Sequence, residues 1–233
     1  LKSIVQEDEI AQGRPDLSPH PVMVLQGLNE ATDGTSRAIP WSQVKEKSKS
    51  YWWKIRSQVL RANPEYCSDM IRLRRTSLTL GLSQCGLSGD ALKKAVEDTY
   101  NHFYELRSDF VVREQVKKVL GELANKYPIV AITNGNVDLE RIGIAEYFDL
   151  VLHASVEQPM KPDPFMFRKA QNFLNLNSEQ ILHVGDNLEK DIWGAINSGF
   201  RAGWYADNRE MQLNREEATV LPDVEFADLD ELV

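Results

Sequence analysis

The chain has 233 residues, long enough for one core of ordinary size with a smaller accessory domain, and its 42% hydrophobic and 27% charged residues suit a water-soluble globular protein. A formal charge of −8 argues against a general nucleic-acid or membrane-surface binder, since such partners are held mainly by Lys and Arg, but it leaves room for a locally positive site. No apolar run approaches the roughly 18 residues that span a bilayer, no secretory signal pattern is recognisable, and two cysteines, Cys67 and Cys85, make a poor disulfide framework, so a reducing cytoplasm is the expected setting.

The first 40 residues are punctuated by Gly13, Pro15, Pro19, Pro21, Gly27, Gly34 and Pro40, and read as loop-rich. From about Trp41 to Arg107 the pattern is helical. Trp41–Ala62 places Val44, Trp52, Ile55, Val59 and Leu60 at helical spacing, and Asn63-Pro64 interrupts it. A second helix is predicted over Tyr66–Cys85 and a third over Asp90–Leu106, with Gly86-Leu87-Ser88 as the turn and Ser88 as cap. Beyond residue 110 the chain alternates. Val111–Lys126 is an amphipathic helix and Pro128–Thr133 a short apolar run suited to a strand buried on both faces. Leu139–Tyr147 reads as helix and Leu150–His153 as strand. Asp163-Pro164 opens a helix, Ile181–Val184 is a second buried strand, Glu189–Ser198 is a helix stopped by Gly199, and Ala202–Tyr205 is a strand. This alternation predicts an α/β fold, an open parallel sheet flanked by helices, with ligands at the carboxyl ends of the strands.

Three places in that region carry candidate chemistry. In Ile132-Thr133-Asn134-Gly135-Asn136, the Thr133 hydroxyl and the backbone N–H groups that follow suit an anion; the same residues also suit an ordinary turn. Lys161, in Met160-Lys161-Pro162-Asp163-Pro164, is either an ammonium positioned to neutralise phosphate or a solvated lysine beside a helix cap. In Val184-Gly185-Asp186-Asn187-Leu188-Glu189-Lys190-Asp191, Asp186 and Asp191 are either two hard-oxygen donors for Mg²⁺ or a helix cap and a solvated acid. An anion contact, a cation and a metal site together suit phosphoryl transfer, where catalysis is mostly positioning and charge stabilisation.

The strings ITNGN, KPDPFMF and HVGDNLEKD, in that order and in those strand and helix contexts, resemble three motifs of the haloacid dehalogenase superfamily. The resemblance covers roughly residues 110–205. It implies a Rossmann-like parallel-sheet core, residues 1–22 and 108–233, with a helical cap, residues 23–107, inserted after the first strand. It also implies that Thr133 binds the transferring phosphoryl group with help from Asn134, that Lys161 stabilises phosphate and nucleophile, that Asp186 ligates Mg²⁺, and that Asp191 ligates the ion or holds its waters. The text around the motifs is similar to that of bacterial phosphatases acting on flavin mononucleotide and related ribityl phosphates, so the expected partner is a small phosphorylated metabolite such as FMN or a sugar phosphate.

One motif departs from the family. The first, an apolar strand followed by Asp-x-Asp-x-Thr or Val, has no counterpart in residues 1–40, where Glu7-Asp8-Glu9 and Asp16 are the acidic candidates; no nucleophile is assigned. Two functions therefore compete: a Mg²⁺-dependent phosphomonoesterase, and a catalytically impaired relative that binds a phosphorylated ligand. Dehalogenation suits the Asp186/Asp191 pair less well.

Overall fold

The computed structural model describes residues 49–206 and 220–233. These residues fall into two units that divide between Phe110 and Val111. The expected first strand, within residues 1–22, the start of the cap segment and the region searched for a nucleophile all lie outside the described residues.

The first unit is helical. Its α1, Lys49–Ala62, buries Trp52, Ile55 and Val59 on one face. Asn63 ends it by returning its side-chain amide to the Val59 carbonyl at 3.2 Å. The helix expected over Tyr66–Cys85 starts later. Pro64–Ser68 is a 3₁₀ turn, and α2 runs over Met70–Gln84. The reason is local: the Asp69 carboxylate accepts the Arg72 N–H at 2.8 Å, an N-cap that fixes where the α-helix begins. Gly86, at φ +99°, turns the chain out of α2, and α3 covers Gly89–Arg107. Ser88 holds the cap position but makes no side-chain capping bond. Trp52, Leu78, Leu82, Ala95, Val96 and Tyr100 form the core of this unit. Gly81 is required there, because a Cβ on it would lie 2.3 Å from the Trp52 ring.

The second unit is α/β, as the alternation predicts. Helix α4, Glu114–Ala124, buries Val116, Val119 and Leu120. Strand β1, Val130–Thr133, pairs in parallel with β2, Leu150–His153, in the register Ala131 to Val151 and Thr133 to His153. Between them the expected helix Leu139–Tyr147 is a tight turn followed by a 3₁₀ turn, Ala145–Tyr147. Gly143 adopts φ +70°, and the Ile144 N–H folds back onto the Leu139 carbonyl at 3.0 Å, which closes the helix after one turn. Helix α5, Phe165–Leu174, leads to β3, Leu182–Gly185. A π-helical turn, Leu188–Trp193, then runs into α6, Gly194–Asn197, and Gly199 stops it at φ +82°. Strand β4, Arg201–Tyr205, pairs in parallel with β3 and with β5, Val224–Phe226, a short strand that hydrophobic patterning does not announce.

The described strands thus form two parallel sheets, β1-β2 and β3-β4-β5. One apolar core serves both: Ile132 and Leu152 meet Met166, Phe167, Ile192, Ala195, Ala202 and Trp204. β3 is less buried than its sequence suggests, with Leu182 46% exposed. No helix among the described residues is long and apolar enough to cross a membrane.

Candidate active site

The carboxyl ends of β1 and β3 carry the candidate residues. Thr133 is the last residue of β1 and is buried. Its hydroxyl accepts the Gly135 N–H at 2.9 Å, which shapes the loop that follows. Asn134 reaches across to the lysine loop with both ends of its amide: Nδ2 donates to the Lys161 carbonyl at 2.9 Å, and Oδ1 accepts the Lys161 N–H at 2.7 Å. Asn134 is therefore a clamp on the backbone of Lys161, a role its place beside Thr133 does not suggest.

Lys161 precedes a cis peptide bond to Pro162. It is no solvated lysine; its side chain is 8% exposed. Nζ donates to the Ile132 carbonyl at 2.7 Å and to Asp191 Oδ1 at 2.5 Å. The ammonium thus sits beside the carboxyl end of β1 with a fixed carboxylate behind it.

Asp191 lies in the π-helical turn after β3 and is also buried, its side chain 8% exposed. Oδ1 accepts from Lys161 and from His183 Nε2 at 3.1 Å, and Oδ2 accepts the Asn187 N–H at 3.1 Å. Burial alone would push this carboxyl up, but the Lys161 ammonium and the His183 hydrogen bond outweigh it and hold Asp191 well below the usual carboxylate range. Burial, with the Lys161 charge adding to it, pushes His183 below the ordinary imidazole value despite the pull of Asp191. A neutral His183 facing an ionised acid carries its proton on Nε2.

The geometry follows from strand periodicity. His183 and Gly185 are two apart in β3 and share a face, and both meet Asp191. A Cβ on Gly185 would lie 2.3 Å from Asp191 Cγ, so glycine is what lets the carboxylate fold back against the strand. His183 is a site residue that motif reading missed; its place two positions before Gly185 on an inward face was the available signal.

Asp186 differs. It follows β3 in a half-buried turn, and its carbonyl accepts the Trp204 Nε1–H at 3.0 Å. Among the described residues its carboxylate makes no hydrogen bond or ion pair. The structure therefore brings Asn134 and Asp191 each into direct contact with Lys161, joins Thr133 to them through its chain neighbours Ile132 and Asn134, and joins Asp186 through Asn187. It also separates the two acids by state, Asp191 saturated and Asp186 unengaged.

The donor set bears on Mg²⁺. The described residues hold no cluster of three or more His, Cys, Asp or Glu suited to a metal. Mg²⁺ commonly takes one or two carboxylates and completes its shell with water and substrate oxygens. Asp186 fits that role, whereas Asp191 already has both oxygens engaged, with only a second lone pair on Oδ2 left for an ion or its waters.

The second unit is a parallel α/β core of Rossmann-like type with a buried lysine–carboxylate pair beside its strand ends. Residues 26–199 match the haloacid dehalogenase-like hydrolases. The chain is 35% identical to the 5-amino-6-(5-phospho-D-ribitylamino)uracil phosphatase YigB of Escherichia coli, over 76% of this chain and 74% of that one. It is 32% identical to the phosphoserine phosphatase of Thermus thermophilus, over 56% of this chain and 53% of that one. In structure it resembles a 2-haloacid dehalogenase from Pseudomonas syringae, with a TM-score of 0.78 and 28% identity, covering 93% of this chain and 90% of the other. The chain belongs to the haloacid dehalogenase-like hydrolase family.

Proposed function

We propose that the chain is a phosphatase that hydrolyses a small phosphomonoester with the help of Mg²⁺. The observation that carries this reading is the buried Lys161, held by the Ile132 carbonyl, Asp191 and the Asn134 clamp beside Thr133. A fixed, desolvated ammonium at a strand end suits charge that develops on a transferring phosphoryl group. Thr133 contributes a hydroxyl, Asp186 the metal carboxylate, and Asp191 with His183 holds the lysine in place. Mg²⁺, when bound, supplies further neutralisation of phosphoryl oxygens. The likeness to YigB favours a ribityl phosphate as substrate, with FMN as a related candidate. Two unpaired cysteines, Cys67 and Cys85, support a cytoplasmic setting.

The second reading, binding without turnover, rests on one observation: residues 1–48 contain no Asp-x-Asp string. Phosphate release from p-nitrophenyl phosphate, FMN and 5-amino-6-(5-phospho-D-ribitylamino)uracil, with and without Mg²⁺, decides between them. Mg²⁺-dependent release supports the phosphatase. No release, with a Tm that rises on adding inorganic phosphate, supports the binding protein. Chloride release from 2-chloropropionate without phosphatase activity would replace both with a dehalogenase.

A further inference from the structure

The helical unit holds a small pocket of its own, between α1 and α2. Trp52, Arg56, Met70, Leu73, Arg74, Ser77 and Leu78 line it, and it offers about 30 Å³, about twice what a single water requires. Two of these residues carry guanidinium groups, and among the described residues no acid lines the pocket. Arg74 lies over the Phe103 ring, 3.5 Å from its centroid, and Arg56 lies over Trp53 at 5.6 Å. Among the described residues neither arginine has a carboxylate partner or a hydrogen bond, although nearby Arg75 is paired with Glu97 at 2.9 Å. Trp52, 1% exposed, has an indole N–H with no acceptor. The Ser77 hydroxyl donates to the Leu73 carbonyl at 2.7 Å, so its oxygen is the one side-chain oxygen among the described lining residues.

The imbalance is chemical. Three donor groups sit in or around a recess to which the described residues supply no negative charge, and half-buried guanidinium groups are costly to leave uncompensated. Burial, reinforced by the charges of Arg107 and Arg56, pushes Arg74 down to about 10. Burial is the larger cause, and no carboxylate among the described residues offsets it. The apolar floor of Met70, Leu73 and Leu78 excludes water and strengthens any charge-assisted bond made there.

The geometry points to a binding site for a small oxoanion, a phosphate or a carboxylate, held by the guanidinium groups of Arg74 and Arg56 in the helical unit. This inference does not depend on the phosphatase reading, because every group in it belongs to the helical unit.

Calorimetric titration of the intact chain with inorganic phosphate and, separately, with succinate in Mg²⁺-free buffer tests it. At least one should bind, and the tighter of the two names the source. Arg74→Met and Arg56→Met should each weaken that binding about tenfold or more, the loss expected for a bidentate charge-assisted contact. Arg74→Lys, which keeps the charge but not the fork, should fall between. If Arg74→Met does not fold, Arg56→Met decides the matter, since Arg56 is half-exposed and its removal leaves the Trp52 core intact. Turnover of p-nitrophenyl phosphate, which bears a single anionic group, should keep its kcat in both methionine variants if the chain is a phosphatase. Binding of neither anion, unchanged affinity in the variants, or a parallel collapse of kcat would overturn the proposal.

Discussion

Replacing Asp191 with Leu removes the carboxylate and keeps the branched shape of the side chain. Lys161 then remains buried, its ammonium left with the Ile132 carbonyl as acceptor. Breaking a buried ion pair by deleting one partner costs about 3–5 kcal/mol, because the surviving charge stays desolvated. In the α/β unit such a loss lowers Tm by roughly 10–20 °C. Lys161→Met should cost less, since His183 and the Asn187 N–H still satisfy Asp191. The double variant Lys161→Met/Asp191→Leu removes both charges and should be more stable than the sum of the single losses by about 2–3 kcal/mol. Urea unfolding followed by tryptophan fluorescence gives all four values, and a common slope against urea would show that only stability has changed. Additive single losses, or an Asp191→Leu chain within about 1 kcal/mol of the parent, would mean that the pair is not the fixed element described above.

Gly185→Ala should destabilise by about 1–3 kcal/mol and lower phosphate release with it, because the new Cβ must expel the Asp191 carboxylate; calorimetry and p-nitrophenyl phosphate turnover check the two together. Stability should fall in acid in two stages. The unfolded His183 takes up a proton near pH 6.5 while the folded, depressed one does not, so stability present above that pH is lost as pH falls through it; His183→Gln should flatten this stage in a pH series of Tm. Asp191, also depressed, adds its loss below about pH 4, where the unfolded carboxyl protonates. Asp186→Asn should leave Tm in Mg²⁺-free buffer within about 0.5 kcal/mol of the parent and remove the rise that Mg²⁺ produces; an unchanged Mg²⁺ response would exclude Asp186 as the metal carboxylate.

The sequence made the α/β unit legible because its strands are short apolar runs bounded by turns, and because Gly199 stops its helix where a glycine should. Lys161 and Asp191 were legible as residue types in a pattern, but not as partners, since a lysine and an acid 30 residues apart meet only when the loop after β2 and the turn after β3 fold onto each other. Leu139–Tyr147 misled because its apolar spacing is helical, yet Gly143 closes the helix after one turn. Asp69 as the start of α2 was visible in principle as an N-cap after a proline turn, and apolar periodicity alone ran through it. β5 has only three residues, too few for a period to show.

The two acids of Gly185-Asp186-x-x-x-x-Asp191 are alike in sequence and opposite in environment, and that contrast constrains the site more than either residue does. A carboxylate with both oxygens engaged, buried beside an ammonium, gains little from a metal and loses much by turning away; it behaves as scaffold. A half-buried carboxylate with no partner among the described residues can accept a cation without first breaking anything. The arrangement therefore divides labour by desolvation. Strand β3 presents Gly185 so that Asp191 can fold inward, and the π-helical turn delivers it there, while Asp186, the first residue after the strand, is left outside that network. If this division holds, stability and metal response must separate under mutation: Asp191 variants unfold early, and Asp186 variants fold normally but do not respond to Mg²⁺. Equal behaviour of the two would place both acids in one shell around the ion and make the Lys161 contact secondary.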